Sequence, residues 1–226
     1  MKLHTILKIA KALAICSFST LTYAADIPLY PTGPSQDSAF VRFINGTDRN
    51  LTLAAGGSKS KIALDLSQPI SQYYSVASKG SITGEFVGGK LSSSISLNIR
   101  PSEFASVVAL SSDTGLKQVI IKEQPKDFNG LKSSLALYNL GPHGCGQAGL
   151  VVVDRAIAIF EKVQSGTVQR RLLNPITLSV QLTCNGKLKG NVLNLGSLEA
   201  GERYSIFAVP DLQGVRIFHS TDAIAR

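Results

Sequence analysis

Little in this chain invites catalysis. Of its 226 residues three are His and three are Cys, and no C-x-x-C or H-x-x-x-H spacing occurs, which argues against the common short-spaced zinc frameworks. No serine sits in a G-x-S-x-G or Gly-Asp-Ser type block, so the usual nucleophile settings are missing. Lys and Arg form no dense run and no recognisable nucleic-acid motif appears, which argues against nucleic acid as a partner. The Ala12–Leu21 apolar stretch is shorter than the roughly 20 residues needed to cross a bilayer about 30 Å thick. Before residue 125 no segment keeps a helical period, which sets an all-helical fold aside.

What is present begins with an export signal. Lys2, Lys8 and Lys11 precede the apolar stretch, and Thr22-Tyr23-Ala24-Ala25 supplies the small residues a signal peptidase needs, so residues 1–24 read as a cleaved signal peptide and the mature chain as periplasmic. Length weighs against a short anchor helix. Cys16 follows the bulky Ile15, which argues against lipoprotein processing. The formal charge of +8 arises from 23 Lys+Arg against 15 Asp+Glu, and without the three signal lysines 20 against 15 leaves +5. Such a surface suits solubility or an anionic polysaccharide. Two cysteines, Cys145 and Cys184, then remain in an oxidising compartment and are expected to pair, in preference to a catalytic or metal-bound role. The chain-entropy model values closure of a loop of about 40 residues at roughly 3–4 kcal/mol.

The lead from residue 25 to 37 is rich in Pro, Gly, Ser and Asp, and Ser38-Ala39-Phe40-Val41-Arg42-Phe43-Ile44 turns abruptly into a strand closed by Asn45-Gly46. Short strands are expected at 50–55, 61–66, 72–77, 81–86, 91–99, 104–111 and 117–123. A second series is expected at 134–140, 150–160, 167–173, 176–183, 192–195, 204–209 and 215–219. Between the series, 125–131 holds Pro125 and Gly130 and reads as a linker. The expected fold is therefore all-β, two tandem β-sandwich domains at 38–124 and 132–226 joined by a short linker. The halves also repeat weakly. Val41-Arg42-Phe43-Ile44-Asn45 aligns with Leu135-Ala136-Leu137-Tyr138-Asn139 at an offset of 94, and Glu103–Leu110 aligns with Glu202–Val209 at an offset of 99. The second register carries on through Gly115 and Gly214, which suggests two copies of one β-domain.

Few residues remain as candidates for a site. His219 and Asp222 invite a triad, but the order is reversed from the usual esterase arrangement and no nucleophile block stands upstream. Glu103 and Glu202, at equivalent positions before a strand, suggest a structural turn. Tyr73-Tyr74 could stack on a sugar ring, although strand tyrosines are usually packing. Together with Arg42, the doublet Arg170-Arg171 and the pair Lys187 and Lys189, they make up the candidate partner or polysaccharide surface. No catalytic residue, metal or cofactor is assigned. A binding or scaffolding module is the expectation; polysaccharide presentation, acetyl transfer through a serine or His219, and a polymerising pilus subunit are the alternatives.

Leu29-Tyr30, the spacer with Pro31, Gly33 and Pro34, and Ser38-Ala39-Phe40-Val41-Arg42 closing on Asn45 resemble the mature N-terminus of AlgF-type proteins of alginate O-acetylation. The resemblance implies a periplasmic accessory protein without a triad of its own. Its implied partners are SGNH-like periplasmic O-acetyltransferases and an inner-membrane protein of the O-acyltransferase type. The resemblance implies alginate first as the polymer, with cellulose the alternative, because similar proteins serve acetylated cellulose. Cys145 and Cys184 depart from the family pattern and mark the second half as a divergent copy.

Overall fold

The computed structural model describes residues 38–56, 60–78, 80–124, 129–153, 155, 157–212 and 214–225. The expected signal peptide and lead lie outside them, as does most of the expected linker. Every regular element among the described residues is a strand. The N-terminal half holds β1 (Ser38–Asn45), β2 (Leu51–Ala55), β3 (Lys61–Leu64), β4 (Tyr74–Ala77), β5 (Ile82–Gly88), β6 (Leu91–Leu97), β7 (Phe104–Ser112) and β8 (Gly115–Glu123). The C-terminal half holds β9 (Ser133–Asn139), β10 (Gln147–Val152), β11 (Ala158–Gln164), β12 (Thr167–Leu173), β13 (Ile176–Cys184), β14 (Lys187–Leu198), β15 (Arg203–Asp211) and β16 (Gly214–Thr221).

Two of these differ from the sequence expectation. The strand expected at 150–160 is two, because the chain turns back where the Val152 amide donates to the Ile157 carbonyl. The charged pair Asp154-Arg155 interrupts the apolar sequence there, and the apolar runs on either side, Leu150–Val153 and Ala156–Phe160, mask it from a periodicity argument. The short strand expected at 192–195 is instead the twelve-residue β14, whose first six positions are exposed and carry no burial pattern.

Four sheets of four strands result, ordered β3-β2-β5-β6, β4-β1-β7-β8, β12-β9-β15-β16 and β11-β10-β13-β14. Adding eight to each strand number in the first two sheets reproduces the last two. Even the register repeats: Val41 pairs with Ala105 in the parallel β1–β7 ladder, and Leu135 pairs with Tyr204 in the parallel β9–β15 ladder. Those are the offsets of 94 and 99 read from the sequence. The recurring Asn has a physical cause. Asn45 is fully buried, and its side-chain amide donates to the Arg49 and Leu64 carbonyls. Asn139, also fully buried, donates to the Cys145 and Val163 carbonyls. Each ties the loop after the first strand to the third strand of its half, and an apolar residue there would leave two carbonyls unsatisfied.

Each half buries its own core between its two sheets, one around Phe43, Leu53 and Phe86, the other around Leu137, Leu150 and Leu182. A third core lies between the halves, where Ile44, Val108, Leu110 and Ile121 meet Tyr138, Leu140, Phe207 and Val209. The sheets containing β1 and β9 therefore pack face to face. Successive strand residues point to opposite faces, so β1, β7, β9 and β15 bury both faces and read as nearly unbroken buried runs.

Candidate functional site

Arg42 stands on β1 where its odd-numbered neighbours enter the N-terminal core, so its own side chain enters the seam between the halves. It is 1% exposed. Its Nε donates to Ser106 Oγ (2.9 Å), and Nη2 donates to Ser205 Oγ (2.9 Å) and Tyr138 Oη (3.1 Å). Ser106 and Ser205 are repeat equivalents, so the two copies supply the same hydroxyl to one guanidinium. Nη1 makes an ion pair with Asp222 Oδ1 at 2.6 Å. Three rings close around the cation, with centroids of Tyr73, Phe207 and Tyr138 at 4.5, 4.9 and 5.3 Å from its central carbon, distances at which a desolvated cation is favoured by the ring faces.

Asp222 is the β16-end counterpart, at an offset of 99, of Glu123 at the end of β8. Both acids face this seam. Arg170 on β12 binds Glu123 through Nε (3.0 Å) and Nη2 (3.2 Å), and Nη2 also reaches Asp222 Oδ2 at 3.2 Å. The Tyr138 hydroxyl donates to Glu123 as well. Two cations and two anions thus balance across the seam. Burial alone would raise both carboxyls, but Arg42 and Arg170 outweigh it at Asp222 and Arg170 outweighs it at Glu123, so both stay below the ordinary range. Burial likewise opposes the Arg42 charge, and Tyr138, Tyr73 and Asp222 reverse that, leaving a firmly protonated guanidinium. Such a saturated cluster offers no open valence to a substrate. Chemically it is a polar bolt through an apolar interface.

The structure separates the expected surface residues. Arg42 and Tyr73 are interior, with Tyr73 3% exposed, and the Arg170 side chain is 15% exposed within the bolt. Burial removes Arg42 and Tyr73 from the surface this structure presents, and Arg170 keeps only part of its side chain there. Tyr73 and Tyr74 cannot form one aromatic platform, because they point to opposite faces: Tyr73 into the seam and Tyr74 against the N-terminal core. Arg171 is exposed at the surface and donates to the Ile159 carbonyl at 2.7 Å. Lys187 and Lys189 are fully on the surface. Glu103 caps its turn by accepting the Arg100 amide and guanidinium, whereas Glu202 is exposed. His219 is half-buried in β16, and the Asp222 carboxylate is taken by Arg42, Arg170 and Ser205. Glu123, Ser106, Ser205 and Tyr138 were not singled out by sequence. The offset of 99 pairs the two serines and pairs Glu123 with Asp222, which was the signal available.

Cys145 and Cys184 are bonded, 39 residues apart. The bond fastens the tip of the β13–β14 hairpin to the loop before β10. Asn185, in the left-handed region at φ 50°, adds two more ties: its side chain donates to the Gly144 carbonyl (2.8 Å) and accepts the Gln147 amide (3.1 Å). Lys187, Leu188 and Lys189 follow at once.

Fold and seam together define a class, a duplicated all-β protein whose two sandwiches share a central core. Residues 10–205 match the family described as alginate O-acetyl transferase AlgF. The chain belongs to the AlgF family. No curated protein matches it. A solved structure of a proposed cell adhesion protein from Bacteroides ovatus is similar at 9% identity and a TM-score of 0.28, covering 82% of this chain and 98% of that one, a likeness too low to argue from. Family membership supports a role in alginate O-acetylation.

Proposed function

We propose that this protein is a periplasmic accessory protein of alginate O-acetylation that acts through protein contacts. In this reading the signal peptide exports it, and it holds SGNH-like O-acetyltransferases and an inner-membrane O-acyltransferase-type protein together. The family match across residues 10–205 carries the reading. The shared core supports it, because two sandwiches bolted into one body can hold two partners at a set separation and angle, which a flexible tether cannot.

Acetyl groups per sugar in polymer secreted by a strain lacking this chain provide the test. The expected result is near-complete loss of acetylation with polymer yield kept. Unchanged acetylation would remove the proposed role.

A further inference from the structure

The two hairpins that correspond by the repeat, β5–β6 and β13–β14, have diverged. Ladder pairing between β5 and β6 runs without a break from Ile82↔Leu97 to Gly88↔Leu91. Its outer strand is stapled to β8, where Gln118 Nε2 donates to Ser93 Oγ at 2.8 Å. In the C-terminal half Ile217 stands where Gln118 stood, so that staple cannot form. Opposite it, β14 carries two extra residues between Lys189 and Leu193, with Gly190 at φ 69°. A cleft of about 340 Å³ opens there between the edges of β14 and β16, lined by Lys189, Val192 and Arg216 among others.

β14 is an edge strand and has no ladder on its outer side among the described residues. Along it Leu188 pairs with Thr183 and so lies on the outer sheet face, while Lys187 and Lys189, opposite Cys184 and Leu182, lie on the other face. Leu188 is 62% and Val192 52% exposed. Bonded Cys184 and the Asn185 contacts hold this exposed segment in place at its base, so little conformational freedom is left to lose on binding. Lysines on an edge disfavour neutral strands, against which their charge would be desolvated unpaired, and repel basic ones; an acidic strand removes that penalty, which makes the same lysines a selector.

We propose that the β13–β14 tip and the adjoining edge of β14 dock an extended acidic segment of a protein partner, with carboxylates alternating with apolar side chains. The carboxylates meet Lys187 and Lys189 on one face, the apolar residues meet Leu188 on the other, and the free strand edge supplies backbone hydrogen bonds. Exposed Leu188 between the two lysines, with exposed Val192 further along the edge, favours a protein over a polyuronate, which has no apolar side chain to bury. The proposal deepens the adaptor reading and rests on it for the identity of the partner class.

The test places a photo-crosslinking amino acid at position 188 of the full chain in the producing strain, with a control at the exposed Ser94 of β6. Lys187→Glu with Lys189→Glu is then introduced, and Lys187→Arg with Lys189→Arg keeps the charge. The expected result is a discrete protein adduct at 188 and none at 94. Charge reversal should cut that adduct and the acetyl content at least fivefold without moving Tm, and the arginine pair should restore both. Full acetylation and an undiminished adduct with the glutamate pair would overturn the proposal, as would an adduct made of polysaccharide. If the strain lacking the chain keeps its acetylation, the adaptor reading fails separately, whatever the adduct shows.

Discussion

Arg42 condenses the residue scale. It sits in the conspicuous Ser-Ala-Phe-Val-Arg run, where sequence alone suggests a surface cation, because an unpaired buried guanidinium is prohibitively costly. What sequence could not show is that Asp222, 180 residues away, arrives to neutralise it. Removing one partner from a buried ion pair typically costs about 3–5 kcal/mol, so Arg42→Ala should lower unfolding free energy by that order in urea titration. Replacing Arg42 and Asp222 together by apolar residues should cost less than the sum of the two single changes, measured as a double-mutant cycle. The carboxyls also set an acid limit. Asp222 and Glu123 have folded values below their unfolded ones. Their contribution is therefore complete above the unfolded values of about 4 and is lost as pH falls through the folded ones. His219, lowered by burial, adds a smaller loss that begins near its unfolded value of about 6.5. Denaturant midpoints should decline gently below about pH 6.5 and steeply below about pH 4. Asp222→Asn with Glu123→Gln should flatten the steep part.

At the scale of elements, sequence was informative wherever one face of a strand meets water. The alternation in Leu91–Leu97 and the turn residues around each short run marked most strands. It failed where that contrast is weak: apolar runs on both sides of Asp154-Arg155 mask a turn, and the exposed start of β14 has no buried face to produce a period. The seam residues were concealed for the opposite reason, since β1, β7, β9 and β15 are buried on both faces and look like ordinary core. The Cys145–Cys184 bond, expected from compartment and count, proves to secure a single hairpin tip. Changing both cysteines to Ser should cost roughly 3–4 kcal/mol at this loop length. Amide exchange should rise first at Asn185–Lys189, read by mass spectrometry. Gly149 makes a second local prediction. A Cβ there would lie 2.4 Å from Thr183 Oγ1 and 2.9 Å from the Phe160 carbonyl, so Gly149→Val should lower Tm by several degrees through overpacking.

At the scale of the whole molecule, the third core determines how the two copies behave. Separated, each half would expose one complete face of its β1- or β9-containing sheet to water, along with one side of the charge cluster. Residues 25–226 should therefore melt in one calorimetric transition with van't Hoff and calorimetric enthalpies in agreement. Residues 38–124 or 132–226 expressed alone should bind a hydrophobic dye or aggregate. Two resolved transitions in the intact chain would contradict this account. The proposed adaptor role would use such a body, because the duplication yields two outward faces on one frame.

The stacking of four sheets also fixes a length. Packed sheets lie about 10 Å apart, so the two outermost ones are about 30 Å from centre to centre. The close-packed cores between the layers set that distance, and the ion pairs of Arg42 and Arg170 keep the middle layers from sliding past each other. The protein is in this sense a gauge block, and any two surfaces that grip its opposite ends are spaced by it.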